Sequence, residues 1–401
     1  MISTRSERPD YDVVIVGGGP AGATAATDLA TAGRRVLLLD REGRTKPCGG
    51  AIPTRAITDF DIPPQMITAR IRSARIVAPS AMSVDMKIDD GFVGMVDRDV
   101  FDGWLRQRAG ATGAEVRAAT FSSSGRGAKG ELTVSFVEKG AERTSRTVTA
   151  GMIIGADGAN SAVRRACFGK DVKPPYVFAY HEIIRSPEAK SEGFDPQRCD
   201  VYYQGRISPD FYGWVFPHGE TTSVGVGSAV KGFDLKEATR LLRETAGLGS
   251  SSLIREEGAP LPLKPLRRWD NGKDILLAGD AAGVVAPSSG EGIYYAMLCG
   301  RLAAQSATEF LESGNPRALA SARKRFMREH GRVFLILGFM QAFWYRNDKR
   351  RERFVAICAD PDVQRLTWES YLNKRLVWSD PLGHIRVFFK DLRQIFRLAS
   401  Q

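Results

Sequence analysis

The sequence predicts an α/β fold: a Rossmann-like dinucleotide-binding domain with an inserted antiparallel-sheet substrate domain and a helical carboxyl-terminal region. Three observations carry that expectation. A strand, a glycine turn, a helix and a second strand fill residues 11–39, and further glycine turns follow short apolar runs at Met152–Gly155 and Asp274–Ala278. Between His181 and Gly227, aromatic and β-branched residues alternate with polar ones, the period of a half-buried antiparallel sheet. A chain of 401 residues exceeds what one small core needs, so two packed domains are expected.

Taken in order, Tyr11–Val16 (YDVVIV) has the apolar, β-branched character of a buried parallel strand. Gly17 to Pro20 break it, Ala-rich Ala21–Ala32 favours helix, and Gly33 stops that helix before a second buried strand, Arg35–Leu39. From about Ala69 to Val148, short alternating segments surround one helix near Arg98–Gly110. After the 274–278 strand, Gly283–Gly292 opens a helix, and helical composition continues to about Gln401. The pattern places residues 1–68, 98–170 and 269–342 in the dinucleotide domain and 69–97 and 171–268 in the substrate domain. Residues 343–401 form a basic aromatic helical region.

Composition narrows the class. No apolar run approaches the roughly 18 residues of a spanning helix, which argues against an integral membrane protein. The polar start Met1–Asp10 lacks a signal-peptide core, so a cytoplasmic location is expected. Cys48, Cys167, Cys199, Cys299 and Cys358 form no CxxC pair, so neither a zinc site nor a disulfide framework is expected. A net charge of +11 favours acidic partners: an anionic membrane surface, a phosphorylated cofactor or an acidic redox donor. No nucleic-acid-reading module accompanies the charge, so nucleic acid is not an expected partner.

Gly17, Gly19 and Gly22, with Pro20 and Ala21 between them, satisfy Gly-x-Gly-x-x-Gly between a strand and a helix. In that pattern the first glycine makes the turn, the second admits pyrophosphate and the third lets the helix pack, while the helix start offers N–H groups and positive dipole to phosphate. Asp40 ends the next strand about 20 residues later, where a carboxylate accepts ribose hydroxyls, and Arg41 follows it. An adenine dinucleotide is the expected ligand.

Gly155-Ala156-Asp157-Gly158-Ala159-Asn160-Ser161 and Gly279-Asp280-Ala281-Ala282-Gly283 resemble the second and third fingerprints of the flavoprotein hydroxylase superfamily. The resemblance implies FAD and a hydroxylase-type FAD-binding Rossmann-like domain, with Asp280 on the ribityl chain and Asp157 near pyrophosphate and a nicotinamide path. Gly290 and Gly292, in Ser288–Gly292, stand at a helix start suited to negative charge on the reduced flavin. No second strand-linked Gly-x-Gly-x-x-Gly is present, so electrons are expected from transiently bound NADPH or from a protein donor such as reduced ferredoxin.

Two motifs address the substrate. In Lys46-Pro47-Cys48-Gly49-Gly50-Ala51-Ile52-Pro53, Gly49 and Gly50 allow backbone to approach a flat ring, while Cys48 alone is equally a small buried hydrophobe. In Pro209-x-x-Tyr212-x-Trp214-x-Phe216-Pro217, three aromatics project from one strand face, as sheet core or as the wall of an apolar tunnel. Together the motifs resemble the geranylgeranyl reductase family, over nearly the whole chain. KPCGGAIP and the segment 345–376 are similar to its chlorophyll and bacteriochlorophyll branch. The resemblance implies reduction of a geranylgeranyl chain to phytyl, on the esterified pigment or on geranylgeranyl diphosphate. It also implies substrate binding by Tyr212, Trp214, Phe216 and Pro217, with Cys48 and Ala51 along the flavin. A peripheral place on a photosynthetic, intracytoplasmic membrane would follow.

An isolated trisubstituted alkene has no carbonyl to accept charge, so protonation accompanies or precedes hydride transfer. Trp214 and Phe216 can each stabilise the developing cation by about 0.5 to 2 kcal/mol. Cys48, Tyr212 or a held water are the candidate acids. His181, His218, His330 and His384 are too dispersed for a metal site and are expected to be surface or internally satisfied. Apolar Val333–Tyr345, flanked by basic residues, suits a core helix or peripheral membrane docking. The region 344–401 holds 12 Lys or Arg against 7 Asp or Glu. The rival functions are a flavoprotein aromatic hydroxylase and a non-redox prenyl-binding escort.

Overall fold

A computed structural model describes residues 8–41, 43, 46–140, 144–188 and 193–374. His384 and the aromatic residues beyond 374 lie outside the described residues. The chain opens with β1 (Tyr11–Val16), α1 (Pro20–Thr31) and β2 (Val36–Asp40). Then come β3 (Ala51–Pro53), α2 (Thr54–Asp59), β4 (Ala69–Ile71), β5 (Ser73–Val77), β6 (Ser83–Lys87) and β7 (Val93–Met95). Helix α3 (Arg98–Ala111) leads to β8 (Glu115–Arg126), β9 (Leu132–Glu138), β10 (Ser145–Gly155) and α4 (Ala162–Phe168). Next are β11 (Tyr176–Arg185), β12 (Arg198–Tyr202), β13 (Gly213–Pro217), β14 (Thr221–Ser228), α5 (Leu235–Thr245) and β15 (Leu253–Pro262). The chain continues through β16 (Ile275–Leu277), α6 (Ile293–Ser313), α7 (Ser321–Trp344), α8 (Asp348–Ile357) and α9 (Pro361–Asn373).

Internal contacts divide the chain into two compact units: 1–48, 98–177 and 260–334 form the first, and 49–97, 178–259 and 335–401 the second. In the first, β2, β1, β10 and β16 run parallel side by side, and β8 joins β2 through its first residues. The far halves of β8 and β10 leave the parallel sheet and sandwich β9 in antiparallel pairing. Val13 to Ile15 and Ile153 to Ile154 are wholly buried, which is why these strands read as continuous apolar runs rather than alternating ones. Helix α6 starts at Ile293, directly after the Ser288–Gly292 stretch.

The second unit is built on a seven-stranded sheet, β15-β11-β14-β13-β12-β5-β6, with a small sheet β3-β7-β4. Residues 49–68, expected with the dinucleotide domain, group with this unit because β3 pairs with β7. Amphipathic α5 buries Ala238 and Leu242 against Val215, Val224 and Val226. The carboxyl-terminal helices also join this unit. Arg351 of α8, 2% exposed, donates to the carbonyls of Pro209 and Tyr345 and to Asp348, while Gly205 N–H donates to Asp348 at 2.8 Å. Trp344 and Tyr345, the aromatics suited by sequence to a membrane interface, are buried instead. Tyr345 packs on Tyr203 with its hydroxyl 3.1 Å away. Their rings cost less in a protein core than in water, and α8 supplies that core.

Candidate functional site

In the first unit, three glycine loops leave the carboxyl ends of three neighbouring parallel strands, the place where open α/β sheets bind ligands. Gly17 turns the chain at φ +103°, and a Cβ on Gly22 would lie 1.8 Å from the Gly17 carbonyl oxygen, so only glycine fits there. The Ala156 N–H donates to the Val16 carbonyl and the Ala278 N–H to the Gly155 carbonyl, extending the sheet pairing into the loops. Arg164, 4% exposed, ties the second loop to the third by donating to the carbonyls of Ala159 and Ala281. Helix α1 has Gly19 as its N-cap and no side-chain cap, so its first N–H groups are the donors a pyrophosphate takes. Asp40 accepts the Gly18 N–H at 2.7 Å, with Arg106 3.6 Å from its other oxygen. Gly158 completes the second loop, and exposed Arg41 follows Asp40.

The carboxylates of the other two loops have protein partners. Asp157 accepts the Ser161 hydroxyl at 2.5 Å and the N–H groups of Ala162 and Val163, so it anchors the first turn of α4. Asp280, on a short 3₁₀ turn, accepts a hydrogen bond from Lys46. Glu291 accepts the Tyr294 N–H at 3.0 Å, placing a carboxylate at the start of α6 beside Gly290 and Gly292.

Cys48 hydrogen-bonds Arg98, a buried guanidinium that also forks onto both Asp102 oxygens at 2.8 and 2.7 Å. Burial disfavours the Arg98 charge, yet Asp102 and Cys48 outweigh it and raise its pKa above the ordinary arginine value. A guanidinium only donates, so the Cys48 sulfur accepts.

In the second unit, the Gly49–Gly50 turn meets the aromatic strand. A Cβ on Gly49 would lie 3.0 Å from the Phe216 ring and 3.8 Å from Trp214 Nε1, so the two substrate motifs are brought together. Tyr212, Trp214 and Phe216 form a row with ring centroids 6.1 and 6.3 Å apart, consistent with one strand face. Tyr212 stacks on Phe211, Pro217 is buried, and Ala51 begins β3.

The Trp214 indole is fixed by a buried polar chain. Its N–H donates to Ser223 Oγ at 3.1 Å, Ser223 lies 2.9 Å from His181 Nδ1, and His181 Nε2 lies 3.3 Å from Glu257. The indole only donates, so Ser223 accepts from it, and a carboxylate only accepts, so Nε2 carries a hydrogen toward Glu257. Arg255 completes the chain, 3.0 Å from Glu257.

The model of the pyridine nucleotide-disulphide oxidoreductase family matches residues 11–170. Geranylgeranyl diphosphate reductase of Rhodobacter capsulatus is 54% identical over 385 residues, covering 96% of this chain and 97% of that protein. The chain belongs to the geranylgeranyl diphosphate reductase family. The reductase of that name from Synechocystis is 35% identical, with coverage of 96% and 98%. A geranylgeranyl bacteriochlorophyll reductase-like structure from Thermoplasma acidophilum superposes with a TM-score of 0.78 at 24% identity, covering 93% of this chain and 99% of that one, and shows the same fold.

For a member of this family the glycine loops fit FAD: the turn at Gly17 to Gly22 admits no side chain, and α1 presents uncapped N–H groups. The sequence reading missed His218, which lies directly after Phe216-Pro217 in the aromatic motif. His181, His218 and His330 are all buried, the internal one of the two expected places, with His330 packed against Tyr294, Tyr295 and Phe326. Adjacency to the motif was the available signal for His218. Asp97 and Arg98 carried no signal of this kind, because His218 and Cys48, which they meet, are remote in sequence.

Proposed function

We propose that the chain is an FAD-dependent reductase that saturates carbon–carbon double bonds of a geranylgeranyl chain to give phytyl, on the (bacterio)chlorophyll ester or on geranylgeranyl diphosphate. The observation that carries this reading is the 54% identity to the Rhodobacter capsulatus enzyme over nearly both full lengths. The site chemistry supports it. Reduced FAD supplies the hydride when bound. Gly17, Gly19, Pro20, Ala21 and Gly22 would hold its pyrophosphate, Asp40 its ribose, and the Asp157 and Asp280 loops the remainder. Trp214 and Phe216 offer aromatic faces to positive charge developing on the chain, and the Ser223–His181–Glu257 chain keeps the indole from turning. Cys48 is the proposed proton donor, with its sulfur oriented by Arg98. Tyr212 is the alternative.

NADPH is the proposed electron donor. Support comes from the excess positive charge and from the lack of a second dinucleotide turn, which suits brief occupancy. The proposed location is peripheral on a photosynthetic membrane. No helix among the described residues is long and apolar enough to cross a membrane. Leu335, Ile336 and Phe339, exposed by 75%, 46% and 66%, form an apolar face on α7, and exposed Arg346 and Lys349 follow that helix.

The test is anaerobic incubation of purified enzyme with FAD, NADPH and a geranylgeranylated pigment or geranylgeranyl diphosphate, followed by mass spectrometry. Product mass rising by two hydrogens per step is expected. In a parallel incubation in air, oxygen uptake coupled to substrate, with oxygen in the product, would replace the reading with a hydroxylase. Activity with reduced ferredoxin but not NADPH would move the donor alone. Vesicles containing anionic lipid should sediment the wild-type protein and retain less Phe339→Glu.

A further inference from the structure

Three consecutive residues, Val96, Asp97 and Arg98, run alongside Cys48, Gly49 and Gly50. The β3–β7 pairing ends with Ala51 against Met95, Gly50 and Val96 follow it, and beyond them the Cys48 side chain meets that of Arg98. The first of these steps is a backbone bond, the Val96 N–H donating to the Gly50 carbonyl at 2.9 Å. The next contacts come from side chains. His218 Nε2 donates to the Gly49 carbonyl at 3.0 Å, and since a carbonyl only accepts, that nitrogen carries a hydrogen. The other ring nitrogen lies 3.1 Å from Asp97 Oδ1, outside hydrogen-bond geometry. His218 is 7% exposed, and the turn folds tightly against it: a Cβ on Gly50, at φ +72°, would lie 2.4 Å from His218 Cε1.

We propose that His218, set beside Asp97, is a positioning residue for the reaction: it fixes the Gly49–Gly50 turn and so the backbone that carries Cys48. Two adjacent glycines are the most mobile backbone the chain can offer. A reacting group on such a turn wanders unless the turn is braced, and a misplacement of about 1 Å can cost on the order of 100-fold in rate. The brace acts on backbone, at the Gly49 carbonyl. Arg98 sets the thiol separately.

The activity arm of the test rests on the reductase reading, whereas the chemical arm does not. FAD-loaded full-length wild type, His218→Ala and His218→Gln are treated with iodoacetamide, and labelling is followed at each cysteine by peptide mass spectrometry. In His218→Ala, Cys48 labelling should quicken about tenfold while Cys199, Cys299 and Cys358, all buried, stay at their wild-type rates. Turnover should fall by about tenfold or more, with KM changed less than about twofold, because the substrate wall is intact. Glutamine, whose amide nitrogen can reach the Gly49 carbonyl, should recover most of both effects. Unchanged Cys48 labelling in His218→Ala would overturn the proposal. So would a parallel rise at the buried cysteines, which marks general loosening, or a glutamine variant no better than alanine. Selective labelling with glutamine rescue, in a protein that reduces no geranylgeranyl substrate, would sustain the brace and refute the substrate assignment.

Discussion

In the first unit the groups placed to meet a ligand are backbone N–H groups and glycines at the ends of β1, β10 and β16. In the second they are side chains, Trp214, Phe216 and His218, gathered onto the Gly49–Gly50 turn from as far as 169 positions along the chain. In the first arrangement peptide groups face the phosphates, and side chains such as Asp157 and Arg164 hold the loops that present them. The second depends on packing and orientation, and its buried polar chain through Ser223 shows how much structure is spent on holding one indole still. A dinucleotide with a fixed phosphate geometry suits the first plan. A flexible apolar chain, whose reacting carbons must be located by shape, suits the second.

The sharpest way to break the comparison is Gly22→Val. With a Cβ 1.8 Å from the Gly17 carbonyl, the turn cannot close, and the purified protein should be colourless and fail to take up added FAD. A yellow Gly22→Val protein would show that backbone shape at this turn is not what holds the cofactor. Cys48→Ala should do the reverse: FAD stays bound while turnover falls on the order of 100-fold, the contribution of a positioned proton donor. Unchanged turnover would reduce Cys48 to packing. Ser223→Ala removes the acceptor of the Trp214 N–H, and a loss of about fivefold in kcat/KM is expected with the flavin spectrum unaltered.

The smallest expected effect is on stability. Burial alone would push the Glu257 carboxyl up, but His181 and Arg255 more than reverse this and hold it below its ordinary value of 4.5. A carboxyl lowered in the folded state stabilises above its unfolded pKa, and that stabilisation is lost as pH falls from about 4.5 through the lower folded value. Wild-type Tm should therefore drop more steeply than that of Glu257→Gln below pH 4.5, with a difference near neutrality of about 1 kcal/mol or less. Parallel Tm curves across that range would remove Glu257 from the chain that orients Trp214.

Legibility in the sequence follows the same division. The strand Tyr11–Val16 was read to the residue, and α1, β2 and α3 within about a residue at each end, because continuous apolar runs and glycine stops are local signals. The alternation of Tyr212, Trp214 and Phe216 was legible too, as was their shared face. By contrast, the apolar Val333–Tyr345 stretch concealed two fates. Leu335 and Phe339 stay exposed while Trp344 and Tyr345 enter the core, and only the docking of α8 on the 203–212 segment separates them.

The sequence by itself determined the dinucleotide loop and the order of the motifs, since both are written in the spacing of neighbouring residues, and it carried the family through the resemblance of KPCGGAIP and the Tyr212–Pro217 motif. Tertiary structure decided that Cys48 takes Arg98 as partner, that Asp157 anchors α4, and that His218 and Asp97 meet at the Gly49 turn. The physical reason is range. Glycine turns and strand periods are set by backbone sterics over a few residues, whereas a buried charge or imidazole finds its partner only when sheet register brings remote segments within hydrogen-bond reach.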